Sequence, residues 1–303
     1  MPHYPVLLEE MLEHLEVDPA GTYLDCTTGE AGWAEAILKR LTSGRLIAAD
    51  RDSQAIERAR KRLSDYGDQV DFMEACYGEI AGLVRSQAPA YAPVEAPFQG
   101  IVADLGLSRV QIEDPARGFS FLREGALDMR MDQRQALTAD QIVNHYQEKE
   151  LADLIYQYGE ERRSRRIARA IVRGRPVRST VHLAEIIERA VPRAPRQKIH
   201  PATRTFQALR IAVNRELEDL QALLDTAPLL LAPGGRMVVV SFHSLEDRLV
   251  KWTFRSWAQK QVLEILTKRV VRPSERETEE NVASRSAKLR AARRTDIAWR
   301  RQN

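Results

Sequence analysis

Apolar positions in the first third of the chain fall in short β-rich runs that stop at acidic residues or glycine turns: TYLDCTTG, RLIAADRD, VDFMEACYG and GIVADLG. Helical spacing lies between them. In SQAIERARKRL, Ile56, Ala59 and Leu63 share one face of a 3.6-residue period and the charges take the other. Strands alternating with helices predict βαβ units and a parallel sheet. A further strand, RMVVVSFHS, follows the turn LAPGG far downstream, so the sheet is predicted to be interrupted. The interruption holds no comparable strand but several helical patterns: QIVNHYQEKELADLIYQYG, RRSRRIARAIVRG and VHLAEIIERAV. Pro176, Pro192, Pro195 and Pro201 punctuate it. The resulting expectation is an α/β domain built from residues 1–114 and 211–303, carrying a helical insertion at residues 115–210. The tail after Phe254 is weakly periodic, and RPSERETEENVASRSAKLRAARR is polar enough to predict a partly irregular segment.

Composition adds little to this until it is divided along the chain. With 303 residues, 44% hydrophobic and 29% charged, the sequence is that of an ordinary folded protein. No basic leader opens MPHYPVLLEEMLEHLEV, and no apolar run approaches the roughly 20 residues that span a bilayer, so a cytoplasmic protein with no membrane partner is expected. Cys26 and Cys76 share no metal-ligand spacing with the six histidines; reduced thiols and no metal are expected. The net charge of +3 conceals a segregation: residues 161–210 carry +11 and residues 248–303 carry +9, leaving −17 on the rest. Basic blocks beside an acidic body point to a polyanion, most naturally nucleic acid.

The first strand and its turn, YLDCTTGEAGWAEAIL, carry the candidate chemistry. Ligands of open parallel sheets bind beyond the carboxyl ends of the strands, where a glycine turn admits the ligand and an acidic residue closing the next strand accepts ribose hydroxyls. Asp25 and Gly29 mark the first turn and Asp50 closes the second strand. GEAG supplies only Gly29 and Gly32, so the dinucleotide fingerprint is absent and a nicotinamide dehydrogenase has little support. A nucleoside without phosphates, such as S-adenosylmethionine, is the better match.

Longer motifs are more specific. HYPVLLEEMLEHL, DLGLSRVQIEDPARGFSFLREGALDMRMD, YGEERRSRRIARAIV, HPATRTFQALRIAVNRELEDL and LAPGGRMVVVSFHSLEDRLVK together resemble the ribosomal RNA small-subunit methyltransferase H family, also called MraW. The resemblance runs from His3 to about Lys251, with a shorter echo in SRSAKLRA. It implies a class I, Rossmann-like methyltransferase domain with an inserted helical domain for RNA recognition. The implied reaction moves a methyl group from S-adenosylmethionine to the exocyclic N4 of a cytidine in the decoding region of small-subunit ribosomal RNA. The resemblance places the cofactor against Gly29, Ala31, Gly32, Trp33, Asp50, Tyr77, Asp104 and Gln111, with Asp50 on the ribose and Tyr77 beside the adenine. Ala31 and Trp33 stand where the family usually shows glycine and histidine, and Arg109 where it favours a second serine. Ala31 is tolerable only if the loop does not need a positive φ there. Trp33 is expected either to lie over the bound ligand or to crowd it.

Cytosine N4 is a poor nucleophile because its lone pair is conjugated into the ring. Catalysis must therefore hold it in line with the donor methyl and face its hydrogens with acceptors. Asp104 and the loop to Ser108 are the candidate catalytic residues. His200, Arg204, Ser241, His243 and Glu246 are assigned to an RNA pocket, although HSLED also has the form of a helix cap with Ser244 as N-cap and Asp247 three residues on. Among the arginines spread around the helix at 162–169, Arg165 and Arg166 are assigned to phosphates, and Phe119, Phe121 and Phe206 are candidates for base stacking. The expected partner is small-subunit ribosomal RNA or the small subunit itself, and the sequence does not decide between monomer and homodimer. Ala31 and Trp33 favour one rival reading, a cofactor-impaired relative that acts as a non-catalytic assembly factor.

Overall fold

The computed structural model describes residues 5–86, 98–193 and 199–297; His3 and Pro195, used above, lie outside them. The chain divides into two compact units, one of residues Met1–Gly106 with Leu217–Asn303, the other Leu107–Glu216.

The first unit is built on a seven-stranded sheet of order β3-β2-β1-β4-β5-β7-β6. Its strands are β1 (Thr22–Asp25), β2 (Arg45–Asp50), β3 (Val70–Glu74), β4 (Phe98–Asp104), β5 (Leu231–Ser241), β6 (Leu263–Ile265) and β7 (Lys288–Arg294). β1 to β5 are mutually parallel, and β7 runs antiparallel to both β5 and β6. This is the class I methyltransferase arrangement, an open sheet whose order reverses between β1 and β4. The central strands β1, β2, β4 and β5 present runs of buried apolar residues because both faces of the sheet are covered. Alternate residues divide cleanly. Leu24, Ile47, Ala49, Ile101, Ala103, Met237 and Val239 enter one core; Tyr23, Leu46, Ala48, Val102, Val238 and Val240 enter the other. The second core is covered by α1 (Leu8–Leu15), α2 (Gly32–Leu38) and α3 (Ser53–Arg62), in which Ala55, Ile56 and Ala59 are buried. The first is covered by α4 (Ile80–Ser86) and by two helices beyond the insertion.

The second unit is helical: α5 (Arg109–Glu113), α6 (Ala139–His145), α7 (Glu148–Gly159), α8 (Ser164–Arg173), α9 (Thr180–Ala190) and α10 (Thr203–Asn214). One apolar core runs through it, including Met129, Ile142, Ile155, Ile167, Leu183, Ile187 and Leu209. Its limits differ from the expected 115–210. Leu107 packs on this core, Arg117 donates to the Met131 carbonyl at 2.8 Å, and Asn214 bonds Met129 O and Met131 N, both at 2.7 Å. Arg210 and Glu216 form a bidentate pair at 2.8 and 2.7 Å. Leu107 at one end and Asn214 with Glu216 at the other lie past both predicted ends.

Beyond the insertion follow α11 (Glu216–Thr226), α12 (Ser244–Gln259) and α13 (Glu275–Glu280). The partly irregular tail expected here ends in an ordered strand. Residues 288–294 pair with β5 over six registered positions, Arg236↔Arg293 to Ser241↔Lys288, and bury Leu289, Ala291 and Ala292. Small apolar side chains suffice once strands flank them on both sides. No helix among the described residues is long and apolar enough to cross a membrane.

Candidate active site

The carboxyl ends of β1, β2 and β4 each carry an aspartate, and these meet at the reversal point of the sheet. Asp25 lies opposite Ala48 on one side and Val102 on the other. Its Oδ1 accepts from Thr27 N at 3.0 Å, while Thr27 Oγ1 accepts from Asp104 N at 2.6 Å, so the first turn and the end of β4 are bonded together. Gly29 N donates to Asp50 Oδ2 at 2.8 Å, and Asp52 N donates to Asp50 Oδ1 at 2.9 Å. Asp50 thus fastens the first loop to the end of the second strand, and Asp52 then caps α3 by accepting from Gln54 N.

The loop does use left-handed backbone. Gly29 has φ 52° and Ala31 φ 61° with ψ 24°, so the loop does need a positive φ at Ala31. The alanine Cβ is carried there at a cost of about 1 kcal/mol, offset by bonds on both sides: Ala31 N donates to Thr28 O at 2.7 Å and Glu35 N to Ala31 O at 2.9 Å. The Trp33 side chain is committed to the core. Trp33, on α2, is 4% exposed and packs in the same core as α1, with the indole N–H donating to Val6 O at 3.2 Å. Gly32 is needed for the same packing, since a Cβ would come 2.4 Å from Pro5 Cγ. Tyr77, after β3, packs partly buried against the other core.

The Arg51 charge lowers Asp50, while burial dominates at all three strand ends. Burial raises the Asp25 carboxyl from 3.8 to about 7, with the Thr27 N–H opposing and the Asp50 charge adding. Burial likewise lifts Asp50 to about 6 against two backbone donors. Asp104 is pushed well above the usual range by burial, then by the charges of Asp25 and Glu246. Asp25 Oδ2 and Asp104 Oδ1 are buried without a hydrogen-bond partner. A buried carboxylate left unpaired is costly, and a positively charged ligand would relieve both. An adenosyl sulfonium amino acid, which carries positive charge on sulfur and on its amino group, fits this donor set.

The remaining predicted residues have definite local roles. Ser108 and Gln111, in the helical unit, form a reciprocal cap on α5: Ser108 Oγ accepts from Gln111 N at 3.2 Å and Gln111 Oε1 from Ser108 N at 3.0 Å. Asp104 therefore does not cap that helix. Ser241 is buried at the end of β5 and donates to Lys288 O at 3.4 Å. The cap of α12 is His243 with Glu246, not Ser244 with Asp247. His243 Nδ1 accepts from Glu246 N at 3.4 Å, and the Glu246 carboxylate accepts from Phe242 N and His243 N. Asp247 pairs with Arg290 at 2.7 Å instead.

Within the helical unit, His200 stacks on Phe121 at 4.8 Å, and Phe121 meets Phe206 edge-on at 4.8 Å. Arg204 lies 3.7 Å from Glu161 and donates to Glu160 O. Phe119 and Phe206 are buried core residues, which leaves Phe121 the accessible member of the three. Arg165 and Arg166 are exposed and make no ion pair among the described residues, whereas Arg169 pairs with Glu148 at 3.3 Å.

Two residues of the strand-end cluster were not singled out from sequence as site residues. Asp25 was read only as a turn marker, though it closes an apolar strand just as Asp50 and Asp104 do. Thr27 gave no signal, because its partner lies 77 residues away.

Comparison with known proteins agrees with this architecture. The sequence profile described as the MraW methylase family matches residues 1–295. A ribosomal RNA small subunit methyltransferase H from Solibacter usitatus is 52% identical over 289 residues, covering 95% of this chain and 98% of its own. The proteins of that name from Koribacter versatilis and Acaryochloris marina are 50% and 47% identical, covering 96% and 98% of this chain and 94% and 95% of theirs. Among solved structures, an rRNA methylase from Streptococcus thermophilus aligns over 98% of this chain and 99% of its own at 13% identity and a TM-score of 0.42, too low to bear on the fold.

Proposed function

This chain belongs to the MraW methylase family and is a methyltransferase using S-adenosylmethionine; from that premise we propose that it methylates the exocyclic N4 of a cytidine in the decoding region of small-subunit ribosomal RNA, in the cytoplasm. The observation that carries the reading is the pair of buried, unpartnered carboxylate oxygens of Asp25 and Asp104 at the reversal point of the sheet. The bound cofactor supplies an electrophilic methyl group on a sulfonium centre.

The chain's own residues supply position and charge. Asp50, already accepting from Gly29 and Asp52, holds the loop and takes the ribose hydroxyls on its free lone pairs. The backbone of residues 29–33 borders the cofactor, and Tyr77 lies against the adenine. Asp25 and Asp104 balance the positive charge, and Asp104 accepts a hydrogen bond from the target amino group as its lone pair turns toward the methyl. Placing N4 in line at contact distance contributes part of the ~7–11 kcal/mol that orientation can give. The methylated amino group then releases its proton to water, so no strong base is required. The exposed arginines of α8, Arg165 and Arg166, contact phosphates.

The non-catalytic reading loses its support, because the Trp33 indole is spent on Val6 and the core. Incubating the protein with purified small subunits and labelled cofactor, then analysing the nucleosides by mass spectrometry, tests the proposal. N4-methylcytidine at one decoding-region position is expected. Label on another base, or on cytosine C5, would refute it.

A further inference from the structure

The second basic stretch of the sequence, residues 248–303, contributes none of the strand-end carboxyls above. Within the sheet-bearing unit it helps to form a groove of about 470 Å³ between α12, β6 and β7. Buried Phe254 and Thr267 contribute to its lining. Its charged walls are Lys251 and Arg255 of α12, Lys268 just beyond β6, and Arg290 of β7.

The charges in this groove are unbalanced. Arg290 is neutralised by Asp247 at 2.7 Å, and Glu264, the carboxylate on the groove wall, is taken by Arg293 at 2.6 Å. Lys251, Arg255 and Lys268 meet no carboxylate among the described residues. Instead the Lys251 ammonium and the Arg255 guanidinium stand 5.6 and 5.2 Å from the centre of the Trp252 ring. That ring is 56% exposed on a helix whose Val250, Phe254 and Trp257 are buried. Trp252 adjoins the groove through Lys251 and Arg255, which line it together with Lys268 and an apolar floor. The exposed indole and these cations together have the composition of a single-strand nucleic acid platform, where cations track phosphates and an aromatic ring receives a base. An acidic peptide would satisfy the cations but would leave the ring without a matching plane.

We propose that this groove and the adjoining Trp252 bind a single-stranded segment of the ribosomal RNA substrate, with phosphates on Lys251, Arg255 and Lys268 and a base stacked on Trp252. The proposal rests on the ribosomal RNA reading above and adds to it a docking surface carried by the catalytic unit.

Full-length protein carrying Lys251→Glu, Arg255→Glu and Lys268→Glu together is compared with wild type on purified small subunits and on deproteinised small-subunit RNA. Cofactor affinity, measured by calorimetry, reports an intact fold. KM for RNA should rise at least tenfold with kcat within twofold. The salt slope of binding should become shallower by about 2, from three phosphates at ~0.7 each. Trp252→Ala should weaken RNA binding at least fivefold and Trp252→Phe should restore most of it; this pair carries the test if the triple variant loses cofactor binding. Unchanged KM and salt slope in a variant whose wild type is active would overturn the proposal. So would affinity lost for the subunit but kept for deproteinised RNA, since the occupant would then be a ribosomal protein. A wild-type protein that does not act on ribosomal RNA would remove the functional reading itself, and this inference with it.

Discussion

Asp25→Asn tests whether the strand-end carboxyls are kept for a cation. Burial lifts Asp25 from 3.8 to about 7 in the folded protein. A group whose folded pKa is raised stabilises the fold fully below its unfolded pKa and loses that contribution as pH rises through the folded value. The unfolded chain then binds fewer protons than the native one. Between pH 5 and pH 8 the two values correspond to a loss of about 2–3 kcal/mol from this residue. Asparagine has nearly the same shape and does not titrate. In urea unfolding without cofactor, the stability of the variant relative to wild type should therefore improve by that amount from pH 5 to pH 8. The same change removes negative charge from the cofactor site, so calorimetric affinity for S-adenosylmethionine should fall at least tenfold. Wild-type binding near pH 6.5 should also release protons, seen as an enthalpy that depends on the buffer's ionisation heat, and the variant should release fewer. Parallel pH–stability curves for the two proteins, or an unchanged cofactor affinity, would refute the reasoning.

Ala31→Gly removes a Cβ from a residue at φ 61° and should stabilise the protein by about 0.5–1 kcal/mol, read from the denaturant midpoint; a loss of stability would mean the loop relaxes elsewhere. Asp50→Ala deletes the acceptor of both Gly29 N and Asp52 N and should weaken cofactor binding at least tenfold by calorimetry, and unchanged affinity would move the ribose elsewhere. Reversing Arg165 and Arg166 to glutamate should raise KM for RNA and flatten its salt dependence while leaving cofactor affinity alone; a retained salt slope would shift the phosphate footprint off α8.

The five parallel strands were legible because each is a short apolar run closed by polar residues, and burial on both faces makes such runs continuous. Asp50 and Asp104 were legible for the same reason, since an acidic residue closing an apolar strand is a break in pattern, while Asp25 reads first as the marker of the turn that follows it. What the sequence hid depends on partners far along the chain. Residues 288–294, KLRAARR, look too charged for a sheet, yet Leu289, Ala291 and Ala292 are buried because β5 and β6 flank them. The helix cap at HSLED was read one residue late because serine outranks histidine as a cap. The actual choice follows from β7, where Arg290 and Lys288 engage Asp247 and so leave Glu246 to close the turn.

The two departures at Ala31 and Trp33 looked like damage to a cofactor loop when the loop was considered alone. Their explanation lies in the segment before α1. Val6 O takes the Trp33 indole N–H, Pro5 fills the space against Gly32, and Leu7 N is held from the other side by Glu277 Oε1 of α13 at 2.8 Å. The cofactor loop is thus moulded against the N-terminal segment, which is itself tied to the C-terminal region. A large apolar side chain at position 33 strengthens that contact without entering the space beyond the strand ends. Ala31 carries the cost, because the chain must still turn through φ 61° to bring Gly32 and Trp33 under Pro5 and Val6. Conservation of chemistry in this loop therefore depends on its backbone path and on Asp25, Asp50 and Asp104, and the identity of the side chain at 33 is free to follow the packing.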